Sequence, residues 1–168
     1  MKPLFESEPL SETHRLDRFS SGKQELDVWL KQSGLHAQAI RTARTFVWHR
    51  GNRQVVAYFS LAAHLVCREN LPGKVGRGSP NRIPAVLLAR LALDSALHGR
   101  GLGAELLWDA LSRTVAAADI AAARVVVVDA IDDVAATFYA RYGFITIPGT
   151  TWRLVQKISD VAAALEHR

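Results

Sequence analysis

A glycine-rich turn between an apolar run and an amphipathic segment constrains the fold of this chain more than any other feature. The run Ala85–Leu93 favours a buried strand, His98–Ala104 supplies three glycines, and Glu105–Leu111 continues as a helix. Glycines let the backbone approach a ligand closely, and unpaired N–H groups at the start of a helix attract phosphate. The order strand, turn, helix therefore predicts a site for a phosphate-bearing cofactor.

The composition is that of a globular protein. Hydrophobic residues make up 49% of the 168 residues, which is enough for one domain over residues 1–168 with a sizeable core. No apolar run reaches the roughly 18 residues that a membrane span needs. The segment Met1–Leu10 carries Glu6 and Glu8 and lacks the apolar centre of a signal peptide. We therefore expect a cytoplasmic protein with no membrane association.

Positive charge is concentrated in the middle of the chain. The net charge of the whole protein is +5, yet the segment Lys31–Arg90 holds ten basic residues and one acidic residue, Glu69, and carries +9. The part from Leu91 to the end carries −2. An asymmetry of this kind favours a polyanionic partner, either a nucleic acid or an acidic protein, over an evenly solvated surface.

The N-terminal third is predicted to contain two helices. Leu26, Trp29 and Leu30 have the i, i+3, i+4 spacing of one apolar helix face. Gly34 is expected to end this helix, and Leu35–Arg41 is expected to form the second one. The rest of the chain is predicted to alternate strands with helices, which gives an α/β chain of the α+β type with a mixed sheet covered by helices.

The remaining elements follow from turn signals and from apolar runs. Asp132 or Asp133 is expected to cap a short helix that Gly143 ends. Pro and Gly residues mark Leu71–Pro84 as a loop. A first strand is predicted ahead of the two helices. The strands that follow are Thr45–His49, Gln54–Val66, Ala85–Leu93, Arg124–Val128, Phe144–Ile147 and Thr151–Lys157, so that Ala85–Leu93 is strand four and Arg124–Val128 is strand five. The short helix is Val134–Arg141.

The spacing of the glycines excludes two other classes of cofactor site. Gly99, Gly101 and Gly103 do not have the G-x-G-x-x-G spacing of a dinucleotide fold, and no Gly-Lys-Ser/Thr of a P-loop follows. A pyrophosphate held by backbone amides, without a metal, fits better. The histidines show no metal-ligand spacing. Cys67, the single cysteine, can form no internal disulfide and is expected to be a buried thiol.

The turn resembles the cofactor signature of the GNAT family of N-acetyltransferases, Gln/Arg-x-x-Gly-x-Gly/Ala. Gly101 and Gly103 match the signature, and His98 stands where the family has Gln or Arg. Phe138–Phe144 resembles the family's Phe-Tyr-x-x-x-Gly-Phe element. The resemblance implies the GNAT fold, a mostly antiparallel sheet splayed between strands four and five with helices on both faces. It also implies acetyl-CoA as the co-substrate.

Further stretches resemble one subgroup of this family, the acetyltransferase toxins of type II toxin–antitoxin systems. The resemblance extends from about Leu10 to Lys157. It implies acetylation of the α-amino group of aminoacyl-tRNA, which blocks translation, together with a small ribbon-helix-helix antitoxin as partner and a homodimer. The stretches that carry it are Phe19–Gly22, Leu26–Leu30, Arg44–Val47 and Leu88–Leu93.

The resemblance also implies roles for individual residues. The amide of Leu93 would stabilise the oxyanion of the transition state. Tyr139 would protonate the departing CoA thiolate, because a phenol with a pKa of about 10 is protonated at neutral pH. The residues implied in acetyl-CoA binding are Leu91, Ala92, Leu93, His98, Gly99, Arg100, Gly101, Leu102, Gly103, Ala104 and Phe138.

The basic residues of the chain and the lack of a general base on one strand both indicate the acceptor. The strand Ala85–Leu93 contains no glutamate that could act as a general base, and the first carboxylate after it is Asp94. An α-amino group, with a pKa of about 8, needs less help from a base than a lysine, with a pKa of about 10.4. The basic residues expected to contact tRNA phosphates are Arg90, Arg77, Arg41, Arg44 and Lys74.

The residues alone are compatible with two other functions. A GNAT enzyme that acetylates a protein N-terminus or a small amine needs the same cofactor and Tyr139 but no basic face. A non-catalytic module that senses acyl-CoA or binds nucleic acid needs neither the acid nor the oxyanion donor.

Overall fold

A computed structural model describes residues 4–168. The first three residues of the predicted N-terminal segment Met1–Leu10 and of the predicted domain 1–168 lie outside this part. The strands are β1 (Glu6–Pro9), β2 (Arg44–His49), β3 (Ala57–Cys67), β4 (Arg82–Leu93), β5 (Val125–Asp129), β6 (Ile145–Thr146) and β7 (Arg153–Lys157). The helices are α1 (Gln24–Ala39), α2 (Gly73–Gly76), α3 (Leu102–Ala121), α4 (Asp133–Arg141) and α5 (Ile158–Glu166).

The strands form a mixed sheet in the order β1-β2-β3-β4-β5-β7-β6. The pairing of β4 with β5 is parallel over Ala85–Leu88, whereas β1 with β2, β2 with β3, β5 with β7 and β6 with β7 pair antiparallel. The α/β architecture with a mostly antiparallel sheet is therefore confirmed. The strand predicted over Arg124–Val128 is confirmed as β5, in which Val125–Val128 are fully buried. The strand predicted over Ala85–Leu93 is confirmed as part of β4, where buried residues are interspersed with partly buried ones.

The chain divides into two compact units, each with its own core. The first consists of the described part of Met1–Ala62 together with Arg90–Asp109, and the second of Ala63–Ala89 together with Ala110–Arg168. The core of the first unit contains Leu10, Phe19, Leu30, Val47, Val55, Tyr58 and Ala92. The core of the second contains Val66, Leu71, Val75, Ile83, Ala85, Val125, Val127, Ile147 and Val155.

Helix α1 differs from the prediction, because it is one helix that continues through Gly34. Gly34 is buried, and a Cβ at this position would lie 3.1 Å from Cδ2 of Leu10. The glycine therefore allows Leu10 to pack closely against the helix and does not break it. The predicted second helix over Leu35–Arg41 is wrong as a separate element, since its first residues belong to α1.

The structure differs from the sequence analysis in three further features. The predicted loop Leu71–Pro84 contains the short helix α2, and β4 begins at Arg82 and passes through Pro84. Helix α5 was not predicted. Cys67 is exposed, which corrects the expected buried thiol. The reason lies in the alternation of the strand, because Val66 is buried and its neighbour at the end of β3 must face the other way.

A polar cluster around Glu8 fixes the edge of the first unit. Oε1 of Glu8 accepts hydrogen bonds at 2.7 Å from Nε2 of His14, Nε2 of His49 and a terminal nitrogen of Arg53. Both histidines are buried. Their Nδ1 atoms accept backbone N–H groups of Ser11 and Gly51 at 3.0 Å, so the proton of each ring is on Nε2.

Across residues 4–168, no helix combines the length and the hydropathy that a bilayer-spanning segment requires.

We predict that Glu8→Ala lowers the free energy of unfolding by about 1–3 kcal/mol, because it removes the acceptor that two buried ring donors share and leaves Nε2 of His49 only with Oε2 of Glu6, at 3.4 Å. Hydrogen bonds from His14 and then His49 lower the pKa of Glu8 below its ordinary value of 4.5. Its contribution is therefore complete above pH 4.5 and is lost as the pH falls through the lower folded-state value.

Urea unfolding at pH 7 and at stepwise lower pH measures this difference. Glu12→Ala, a change at an exposed acid nearby, is the matched control. A loss with Glu8→Ala that equals the control at pH 7, or that grows on acidification, would contradict the assignment.

Candidate active site

The connection between β4 and α3 is fixed by hydrogen bonds around Asp94. Oδ1 of Asp94 accepts the N–H of Ala96 at 3.0 Å, and Oδ2 accepts the N–H of Ser20 at 3.1 Å. The backbone N–H of Asp94 donates to the carbonyl of Val56 at 2.8 Å, and that of Ser95 donates to Ser20 at 2.8 Å. The end of β4 therefore has a defined backbone position before the glycine-rich turn begins.

The glycine-rich turn presents open backbone ahead of a long helix. Gly99 and Gly101 have φ angles of +80° and +74°, which L side chains rarely adopt, and both residues are exposed. A Cβ built on either would meet no atom within 4 Å. Helix α3 begins directly after the turn, at Leu102, and the N–H groups of its first turn have no partner within the helix. This arrangement fits an anionic group such as a pyrophosphate.

The side chain of His98 folds back onto the strand. Its Nε2 donates a hydrogen bond of 2.8 Å to the carbonyl of Leu93, the last residue of β4. The imidazole thereby links the end of the strand to the start of the glycine-rich turn. Leu93 and its neighbour Ala92 are buried, and Leu91 is partly buried.

Tyr139 lies in the second unit, on helix α4. The N-cap of α4 is Asp132, which accepts the N–H of Ala135 at 2.9 Å, as one of the two predicted alternatives requires. Tyr139 is buried against the rings of Phe138 and Phe144, at centroid distances of 5.4 and 5.7 Å. Burial raises the pKa of Tyr139, so its hydroxyl group is protonated over the physiological range.

The predicted tRNA contacts are distributed over both units. Arg41 and Arg44 of the first unit are exposed, and so are Lys74 and Arg77 of the second, which lie in α2 and directly after it. Arg90 differs from these four. It is half-buried in the first unit, and its Cζ lies 3.9 Å from the ring centroid of Trp29.

Sequence reasoning missed a second polar cluster in the second unit. Arg153 donates to both carboxylate oxygens of Asp129, at 2.7 and 2.9 Å, and to Nε2 of His64 at 3.1 Å. Burial and the neighbouring Arg153 lower the pKa of His64. The three residues are far apart in the sequence, so no local pattern could have indicated them.

The histidine cluster around Glu8 does not fit a metal ion. The ligand atoms of Glu8, His14 and His49 lie within 4.8 Å of one another. A metal on Nε2 would move the proton of each ring to Nδ1, where the N–H groups of Ser11 and Gly51 already point. The cation of Arg53 also occupies the same carboxylate oxygen. The cluster is a hydrogen-bonded network within the first unit.

An open cavity of about 470 Å³ lies beside the N-terminal half of α1. Phe19 and Val28 give it apolar walls, and Asp27 and Lys31 give it charges. The carboxylate of Asp27 is engaged with the N–H and the hydroxyl group of Ser21.

A comparison with protein families supports the interpretation of the glycine-rich turn and of the fold. Residues 75–153 match the family model of the acetyltransferase (GNAT) domain. The mixed sheet, the glycine-rich turn after β4 and this match define an N-acetyltransferase of the GNAT class.

One curated relative and two solved structures are similar to this protein along nearly the whole chain. A tRNA-acetylating toxin of Mycobacterium tuberculosis (strain ATCC 25618 / H37Rv) is 36% identical over 156 residues, which cover 93% of each chain. The structure of AtaT complexed with acetyl-methionyl-tRNAfMet has a TM-score of 0.87 and 27% identity, over 95% of this chain and 98% of AtaT. The structure of AtaTR bound with acetyl-CoA has a TM-score of 0.83 and 25% identity, over 95% and 97%. The chain therefore belongs to the GNAT toxins of type II toxin–antitoxin systems.

Proposed function

We propose that this protein is a toxin that transfers the acetyl group of acetyl-CoA to the α-amino group of an aminoacyl-tRNA. The acetylated amine can no longer form a peptide bond, so translation is blocked. The observation that carries the proposal is the 36% identity to a tRNA-acetylating toxin over 93% of the chain. A single GNAT domain over residues 1–168, acting in the cytoplasm, is part of this proposal.

The glycine-rich turn is proposed to bind the pyrophosphate of acetyl-CoA. Backbone N–H groups at the start of α3 and the left-handed conformations of Gly99 and Gly101 support this role. Arg100 is exposed beside them and adds a positive charge. The proposed cofactor contacts are the backbone of Leu91, Ala92 and Leu93, the turn His98–Gly101, the first residues of α3 (Leu102, Gly103 and Ala104) and the side chain of Phe138.

Two groups are proposed to act on the reaction itself. Acetyl-CoA, when bound, supplies the thioester that the amine attacks. The backbone N–H of Leu93 donates to the oxygen on which negative charge develops, a contact worth about 3–4 kcal/mol in other enzymes. Tyr139 donates its proton to the departing thiolate, which takes the electrons of the broken C–S bond. The proton that the attacking nitrogen loses is released to water, from which the Tyr139 phenolate is protonated again. Its raised pKa keeps the phenol protonated for this step.

The acceptor is proposed to be an α-amine because β4 (Arg82–Leu93) contains no carboxylate that could serve as a base for a lysine. The carboxylate at the end of β4, Asp94, is occupied by the N–H groups of Ser20 and Ala96 and serves the turn. An aminoacyl ester has an amine that is largely neutral near pH 8 and needs no strong base. The same argument applies to a protein N-terminus, which is the alternative acceptor.

The partners follow from the same proposal. Phosphates of the tRNA are proposed to contact Arg41, Arg44, Lys74, Arg77 and Arg90. A toxin of this class needs an antitoxin, which is proposed to be a small ribbon-helix-helix protein, and the toxin is proposed to be a homodimer. AtaT has been solved with the C-terminus of the antitoxin AtaR, in a structure with 24% identity and a TM-score of 0.83 to this chain.

The acceptor is tested by offering radiolabelled acetyl-CoA with charged tRNA, deacylated tRNA, an N-terminal peptide and a small amine. We expect label on charged tRNA only. Tyr139→Phe should reduce turnover by about 10²–10⁴-fold, because it removes the general acid and keeps the ring. Its melting temperature should stay close to that of the wild type. Label on the peptide or the amine, with none on charged tRNA, would establish the alternative acceptor.

We predict that His98 supports acetyl-CoA binding through the carbonyl of Leu93. His98→Ala removes one hydrogen bond and should raise the KM for acetyl-CoA by about threefold to tenfold. His98→Gln has an amide N–H that can reach the same carbonyl, and it should restore the wild-type value. Steady-state kinetics at saturating acceptor measure both. An unchanged KM in His98→Ala would show that the side chain is dispensable.

We predict a steep salt dependence for aminoacyl-tRNA and not for a neutral acceptor. Each phosphate contact that is removed should reduce the slope of log KM against log salt concentration by about one. Arg44→Gln and Arg77→Gln are therefore each expected to flatten the slope. Arg18→Gln, at an exposed arginine outside the basic segment, is the control. Slopes that all three variants share would contradict the proposed contacts.

A further inference from the structure

Arg90 ends a column of stacked side chains in the first unit. Its guanidinium lies over the ring of Trp29, with Cζ 3.9 Å from the ring centroid. Trp29 in turn stacks on Tyr58, at 6.1 Å and an interplanar angle of 12°. Tyr58 is fully buried, and its hydroxyl group donates to the carbonyl of Leu26 at 2.7 Å. The column is therefore anchored in the core at one end and reaches the half-buried Arg90 at the other.

The guanidinium edges of Arg90 have no partner among residues 4–168. The hydrogen bonds and ion pairs of this part of the chain do not include them, and Glu25 attracts the cation only at longer range. Burial lowers the pKa of Arg90, yet a guanidinium stays charged in proteins. A planar cation with one face on an aromatic ring and five free N–H donors is suited to bind a phosphate with two parallel hydrogen bonds.

The position of Arg90 relates this cation to the proposed chemistry. Arg90 precedes Leu93 by three residues on β4, so about 10 Å separates their Cα atoms. In an aminoacyl-tRNA the amino acid is esterified to the terminal ribose, and the nearest phosphodiester lies on the other side of that ribose. A cation carried by a residue this close along β4 to the proposed oxyanion donor can therefore hold the terminal phosphodiester while the amine approaches the thioester.

We propose that Trp29 is a positioning residue, which orients Arg90 so that its guanidinium binds the terminal phosphodiester of the aminoacyl-tRNA. This inference rests on the proposed function and names a contact within it. Trp29 acts through Arg90 and does not touch the substrate. The competing explanation is that Trp29 serves the core alone, in which case its loss affects stability and all substrates alike.

The test compares the conservative and the disruptive change at each position. Arg90→Lys keeps the charge and loses the planar fork, and Trp29→Leu keeps the apolar volume in part and loses the aromatic face. Each should raise the KM for aminoacyl-tRNA by roughly tenfold and leave the KM for acetyl-CoA unchanged. Trp29→Phe keeps an aromatic face and should recover most of the loss. Arg18→Lys is the matched arginine control, and melting temperatures report on folding.

Two further measurements separate positioning from packing. Arg90→Gln should reduce the salt slope of the KM for aminoacyl-tRNA by about one. Adding Trp29→Leu to Arg90→Gln should raise this KM no further, because Trp29 then has no cation to orient. An additive double variant, or equal losses for both substrates, would overturn the inference and leave the proposed function intact. A wild-type protein that acetylates no aminoacyl-tRNA would overturn both.

Discussion

The hydrogen bonds of Asp94 determine the geometry on which the proposed cofactor site depends. This one residue connects the end of β4 to Val56, to Ser20 and to the turn at Ala96. The proposed contacts with acetyl-CoA are made largely by the backbone, whose N–H groups are useful only when the chain is held in one conformation. The carboxylate of Asp94 thus fixes the backbone that carries the proposed donors, and His98 adds a second restraint through the carbonyl of Leu93.

Features set by neighbours in the sequence were predictable. The order strand, turn, helix around His98–Ala104 follows from an apolar run, three glycines and an amphipathic repeat. The cap of α4 at Asp132 depends on a backbone group three residues away. Such features depend only on local hydrogen bonds and local backbone preferences. They can therefore be predicted from the sequence without knowledge of the fold.

Features set by distant partners could not be predicted in the same way. Glycine weakens helices, so the sequence predicts that Gly34 ends one. Only the contact with the side chain of Leu10 in the folded chain shows that Gly34 instead allows close packing. His49 is 41 positions from Glu8, with which it shares a hydrogen bond. In the site, the turn followed from local chemistry, whereas the roles of Leu93 and Tyr139 came from resemblance. The stacking of Arg90 on Trp29 required the fold, because it joins a strand to a helix.

We propose that the cofactor is recognised by backbone groups and the acceptor by side chains. The backbone of β4 and of the turn is the proposed cofactor site, where a different side chain in place of the family's Gln or Arg, such as His98, is compatible with binding if the backbone conformation is kept. The proposed acceptor contacts are arginine side chains, whose shape and charge are themselves the binding groups. A lysine can match the charge of Arg90 but cannot match its planar fork or its stacking on Trp29. On this proposal, acceptor binding responds to single substitutions, such as those at Arg90, to which cofactor binding is insensitive.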